Sequence, residues 1–159
     1  MTISGTVAHF FRGYAMKRLI HFICLLLILI PAWASDVVPL SKNEQDIHSM
    51  VKSWAQAWQN QSIDEYLSFY SPDFIPANGL SLAQWQQQRR ERVSEPLFIK
   101  TETNDIDITE LRGAFAQVQF RQKYTAAKYQ DQVMKALHLE RLHGKWLIVK
   151  ESSKPIKIK

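Results

Sequence analysis

From Ala114 to Tyr124 the chain alternates, with Ala114, Ala116, Val118, Phe120 and Tyr124 on one side and Gln117, Gln119, Arg121 and Lys123 on the other. Period two over this length predicts a strand with one wet face. Gln122 interrupts the apolar set, so its amide points into the core and needs partners there. Val133, Leu137 and Leu139 mark the inner side of the next strand, with Lys135 among them. Trp146-Leu147-Ile148-Val149, after a His143-Gly144 turn, form another. Upstream, Leu97 to Thr109 reads as a strand with a bulge or bend at Thr103-Asn104-Asp105, ending in a Leu111-Arg112-Gly113 turn.

Before the strands the period changes. Ile47, Met50, Val51, Trp54 and Trp58 recur at helical spacing. A second helix is expected from Ser62, capped by Ser62 with Glu65, with Ile63, Tyr66, Leu67 and Tyr70 as its stripe and Ser71-Pro72 as its end. Asp73-Phe74-Ile75-Pro76 reads as a small extra strand, followed by an Ala77-Asn78-Gly79 turn. Ser81 with Gln84 caps a third helix carrying Leu82, Trp85, Arg89 and Val93, which Pro96 stops. Three helices ahead of four antiparallel strands predict an α+β domain, the helices packed on a curved antiparallel sheet.

The N-terminus has a different character. Met16-Lys17-Arg18, an apolar run from Leu19 to Ile30 and the small-x-small site Ala32-x-Ala34 predict a secretory signal peptide over residues 1–34, with translation starting at Met16 and cleavage after Ala34. The apolar run is about a dozen residues, where a membrane span needs about 20. The expected organisation is then a linker at 35–41, a domain at 42–153 and a tail at 154–159, located in the periplasm or secreted. Removing Arg12, Lys17 and Arg18 lowers the net charge from +5 to about +2. That modest charge, interleaved with acids, argues against nucleic acid as a partner. Cys24 leaves with the signal, so the mature chain has neither disulfides nor thiol chemistry.

The order of elements resembles the nuclear transport factor 2-like (SnoaL-like) superfamily, whose cone-shaped half-barrel encloses a pocket between sheet and helices. Trp54-Ala55-Gln56-Ala57-Trp58, Tyr66-Leu67-Ser68-Phe69-Tyr70, Trp85 with Arg89, Phe120 to Tyr124, Lys135 and Gly144-Lys145-Trp146 with Glu151 resemble, more narrowly, the C-terminal domain of cell-shape-determining L,D-carboxypeptidase and L,D-transpeptidase-like envelope proteins. The catalytic domain of those proteins uses a cysteine and a histidine. No mature cysteine exists here, so the resemblance implies an accessory module and not that peptidase chemistry.

The candidate ligand-binding residues are Trp85, Arg89, Gln122, Tyr124, Lys135 and Glu151. Trp54, Trp58, Tyr66, Tyr70, Phe120 and Trp146 are the expected pocket lining. Arg89 follows Trp85 by one helical turn, and its planar fork suits a carboxylate such as a stem-peptide terminus. A plainer reading makes Lys135, Glu151, Gln122 and Tyr124 one satisfied polar network that braces the sheet. No catalytic triad, metal cluster or phosphate loop is visible, and no cofactor or metal is expected. Three functions follow. The first is an exported, non-catalytic domain that binds a small envelope ligand such as a peptidoglycan fragment or docks on a cell-wall enzyme. The alternatives are a small-molecule isomerase or lyase of the ketosteroid-isomerase-like type and a structural homodimer.

Overall fold

The computed structural model describes residues 39–156. The expected signal peptide and the end of the tail lie outside the described residues. Three helices, α1 (Lys42–Gln59), α2 (Ile63–Ser68) and α3 (Leu82–Ser94), precede four strands, β1 (Ile99–Arg112), β2 (Phe115–Ala126), β3 (Tyr129–Leu142) and β4 (Lys145–Pro155). The strands form one antiparallel sheet in the order β1-β2-β3-β4. The sheet is curved and unclosed, with the helices on its inner face, and the predicted α+β architecture holds. Among the described residues no helix is long and apolar enough to cross a membrane.

Alternation in sequence becomes alternation in burial. Along β2, Ala116, Val118, Phe120 and Gln122 are buried while Phe115 and Arg121 are exposed. On β3, Lys135, Leu137 and Leu139 take the same face, paired with Phe120, Val118 and Ala116. The stripe of α1 closes on them, with Ile47, Val51 and Trp54 fully inaccessible. Each such side chain contributes about 1.5–3 kcal/mol by leaving water.

The strand ends differ in detail from the pattern. β1 runs to Arg112 because the turn is confined to Gly113-Ala114, with Gly113 at φ +55°. The expected bulge is present, as a register shift between Asn104 and Asp107 with Asp105 at φ +54°. His143 and Gly144 both take positive φ, 50° and 81°, as a two-residue hairpin turn of this twist demands. β4 continues to Pro155, past the expected start of the tail.

Two expectations fail for physical reasons. Asp73 to Pro76 is not a strand. Pro72 and Pro76 have no N–H to give a ladder, and contact with β4 shrinks to a parallel bridge between Tyr70 and Ile148 plus an Ile75 N–H to Val149 carbonyl bond of 3.0 Å. Ser62 does not form a capping box either. Its ψ is 78°, in place of the 162° and 158° of Ser41 and Ser81, and its hydroxyl makes no cap bond. Ser41 with Glu44 and Ser81 with Gln84 form complete boxes.

α3 carries the next feature of interest. Its buried residues are only Trp85 and Val93, Leu82 packs against the core from its first turn, and from Gln86 to Arg92 every residue is polar. It is held by Gln61, whose amide donates to the carbonyls of Val93 and Pro96 at 2.8 Å each. Gln61 itself sits at φ +56° in the corner between α1 and α2.

Candidate ligand-binding site

Three charged side chains from three elements converge above the aromatic core. Lys135 of β3 donates to Oε1 of Glu151 of β4 at 2.8 Å. Arg89 of α3 lies 3.6 Å from the same oxygen. The side chains are only 6 %, 10 % and 19 % exposed for Lys135, Glu151 and Arg89, so two cations share one carboxylate away from bulk water.

The other carboxylate oxygen ends a chain of donors. Tyr70 donates to Oε2 of Glu151 at 2.7 Å and accepts from Trp54 Nε1 at 3.1 Å. Its oxygen also lies 2.8 Å from the Tyr66 hydroxyl, which therefore serves as the donor. Burial alone pushes the Glu151 carboxyl up, but the Lys135 and Arg89 charges, with hydrogen bonds from Lys135 and Tyr70, outweigh it and hold it down to about 2. Burial, reinforced by the Glu151 anion, pushes the Tyr66 and Tyr70 phenols well above their usual range. Both therefore stay neutral donors, and Glu151 stays an anion.

Aromatic faces complete the setting of the cations. The Lys135 ammonium lies 5.5 Å from the Trp54 ring and 5.9 Å from Trp58, and the Arg89 guanidinium lies 5.3 Å from Trp85. Such contacts are worth about 2 kcal/mol when desolvated. They supplement a pair of cations that a single carboxylate cannot neutralise.

A cleft of about 460 Å³ opens beside this group, between α3 and the β2–β3 hairpin. Arg89, Lys135, Glu151 and Gln122 border it, with Trp58, Tyr124 and Val133 as walls. Gln122 is 2 % exposed, and neither its Nε2 nor Arg89 Nε has a hydrogen-bond partner. A buried amide donor left empty costs about 1–3 kcal/mol. Both residues that carry these donors line the cleft, and an acceptor able to reach the two nitrogens would complete the arrangement.

The structure thus brings Arg89, Gln122, Tyr124, Lys135 and Glu151 to one cleft, with Trp58. It places the remaining candidates elsewhere. Trp85 stacks on Arg89 and lines a smaller neighbouring hollow of about 180 Å³ that shares Arg89 and Glu151. Trp54, Tyr66 and Phe120 are sealed in the core, because the Trp54 ring on α1 packs between the Tyr66 ring at 5.9 Å and the Phe120 ring at 6.1 Å. Tyr70 is a hydrogen-bonding support and not lining. Trp146 does not belong to the site, since it lines a separate groove with Asp46, Phe69 and Lys145. The bracing network exists with a different membership: Trp54, Tyr66, Tyr70 and Arg89 join Lys135 and Glu151, whereas Gln122 is unpaired and Tyr124 stacks on Trp58 at 5.1 Å.

Arg92, Glu95, Tyr129, Asp131 and Ser153 also line the cleft and were not among the site residues expected from the sequence. Period two counted back from Lys135 reaches Val133, Asp131 and Tyr129, and counted forward from Glu151 reaches Ser153. The signal was present in the alternation but hidden because these residues are polar. Among the described residues, no group of three or more His, Cys, Asp or Glu is placed to hold a metal ion.

Comparisons with known proteins agree with the fold. The model of the Cds6 C-terminal NTF2-like domain matches residues 46–152. Bd1075 of Bdellovibrio bacteriovorus is similar in structure, with a TM-score of 0.67 and 26 % identity over 76 % of this chain and 45 % of that one. So is a mutant of Pgp2, the helical cell shape determining protein of Campylobacter jejuni, at 0.64 and 23 % over 70 % and 41 %. A putative dehydratase of the NTF2-like family from Streptomyces avermitilis shares the fold at 0.61 and 12 %, over 72 % of this chain and 96 % of that one. The chain spans less than half the length of Bd1075 and Pgp2. Comparison with functionally characterised proteins finds no match.

Proposed function

Because the chain belongs to the Cds6 C-terminal NTF2-like domain family, we propose that it is an exported, non-catalytic accessory module of the cell envelope whose cleft binds a small carboxylate-bearing ligand such as a peptidoglycan fragment. The observation that carries this reading is the excess of positive charge at the cleft floor. Arg89 and Lys135 share only Glu151, and Gln122 and Arg89, each carrying a buried nitrogen without a partner, both line the same cleft. A ligand carboxylate would supply the missing acceptor and the missing charge, and charge-assisted hydrogen bonds are the strong ones. The likeness to a cell-shape determinant supports the envelope setting.

Binding is favoured over catalysis by the state of Glu151. With its carboxyl held down to about 2, it is a poor proton acceptor near neutral pH, where an effective base has a pKa close to the working value. The experiment is thermal unfolding of the mature chain with a panel of muropeptides. Those with a free peptide carboxylate raise Tm, and Arg89→Ala removes the rise while leaving the fold intact by circular dichroism. No rise with any muropeptide would refute this ligand class.

A further inference from the structure

Charge in the cleft is graded along its depth. At the floor, Arg89 and Lys135 against Glu151 leave one net positive charge. At the mouth, Glu95 and Arg92 are exposed on the C-terminal part of α3 and its flank, and Asp131 is half-buried on β3. Two carboxylates against one guanidinium leave one net negative charge there. Tyr129, largely exposed, donates from its hydroxyl to Asp131 Oδ2 at 3.0 Å, which fixes that carboxylate at the rim. The two ends are of opposite sign, separated by the uncharged walls of Val133, Tyr124 and Trp58.

The register gives the separation. Lys135, Val133 and Asp131 lie on one face of β3, opposite Phe120, Gln122 and Tyr124 of β2. At about 3.3 Å per residue, Asp131 is about 13 Å from Lys135 along the strand and about 7 Å from the level of the unpartnered Gln122 amide. A complementary ligand carries its anion and cation about 7–13 Å apart, the span of two to four extended peptide residues.

We infer that the cleft selects a short zwitterionic peptide, bound with its free carboxylate inward against Arg89, Lys135 and Gln122 and with an ammonium group outward between Glu95 and Asp131. The inference rests on the carboxylate-binding reading above and adds the second group and the direction of entry. Its two halves differ in weight. The floor side chains are largely withdrawn from water, so the carboxylate carries affinity. The rim contacts are wet, where an exposed ion pair contributes little more than about 1 kcal/mol, so the ammonium carries selectivity.

The test uses four N-acetylated alanine tetrapeptides, with lysine or norleucine two residues before the C-terminus and with that terminus as free acid or amide. Their Kd values are measured by isothermal titration against the mature chain and against an Asp131→Asn/Glu95→Gln double variant. The free acids should bind at least tenfold more tightly than the amides, the step of about 1.4 kcal/mol expected of a good charged hydrogen bond. In the wild type the lysine acid should bind about three- to fivefold more tightly than the norleucine acid, as an exposed pair allows. The double variant should lose that preference and keep its affinity for the norleucine acid. Equal binding of lysine and norleucine acids, or a preference that survives in the double variant, would overturn the inference while the acid-to-amide difference still upheld the floor. Equal binding of acids and amides, or no binding at all, would overturn the carboxylate reading itself and the inference with it.

Discussion

The inner face of the β2–β3 hairpin is two regions built on one pleat. Near the Gly113-Ala114 turn it is Ala116 with Leu139 and Val118 with Leu137, sealed under α1. Four residues further along the same strands it is Gln122 with Val133 and Tyr124 with Asp131, open beneath α3. The strands and their spacing are shared, so the backbone does not set the difference. The covering helix does. α1 offers Ile47, Val51 and Trp54, which exclude water and tolerate no unpaired charge, whereas α3 offers Trp85, Val93 and the Arg89 guanidinium. A hollow persists where the lid is too polar to fill it, and the sheet beneath answers with polar groups.

The largest expected effect comes from cutting the boundary between the regions. Glu151→Gln leaves Lys135 and Arg89 without a counter-charge in a nearly dry site, and stability should fall by about 3–5 kcal/mol in urea unfolding. Leu137→Ala, in the sealed half, should cost about 2–5 kcal/mol through its cavity alone. The two losses are similar in size but different in kind. High salt, which screens exposed charges, should mitigate neither fully.

Acid separates them. The Glu151 carboxyl lies near 2 in the folded chain against an ordinary value of 4.5, so the unfolded chain binds more protons between these values and stability falls as pH drops through that window. Its contribution, on the order of 3 kcal/mol, is fully present above about pH 4.5 and lost by about pH 2. Leu137→Ala should keep this acid limb, and Glu151→Gln should flatten it. The smallest effect has the opposite sign. Gln122→Met removes a buried amide with no partner and should stabilise the chain by about 1 kcal/mol, while ligand binding falls. The same substitution logic fails in the sealed half, where Val118→Asn should destabilise by about 1–3 kcal/mol.

The sealed region was the more legible in sequence. Its residues are apolar at regular spacing, and the period alone placed Val118, Phe120, Leu137 and Leu139. The open region was legible only where a polar residue broke an apolar run, which drew attention to Gln122, Lys135 and Arg89. Asp131 and Tyr129 beside the β2–β3 hairpin tip and Glu95 at the end of α3 broke nothing, since charged and aromatic residues at such places look like solvated surface, and only the packing of α3 made them a rim. Tyr66 and Trp54 were placed correctly as helix stripe, whereas α2 stops at Ser68 and Tyr70 lies past its end, bridged to Ile148. Their polar atoms matter only because Glu151 arrives from a strand more than eighty residues along the chain from Tyr70, a meeting that local pattern does not encode. Trp146 was misplaced because the strand period gives a face and not a position along it.

The proposed binding depends on two unfilled donors, Gln122 Nε2 and Arg89 Nε, and side-chain NMR observes them directly. On titration of a muropeptide with a free peptide carboxylate, the Gln122 Nε2 and Arg89 Nε proton resonances should move downfield and saturate together, while the Trp146 indole resonance stays in place. Saturating shifts at Trp146 with Gln122 and Arg89 unmoved would contradict it.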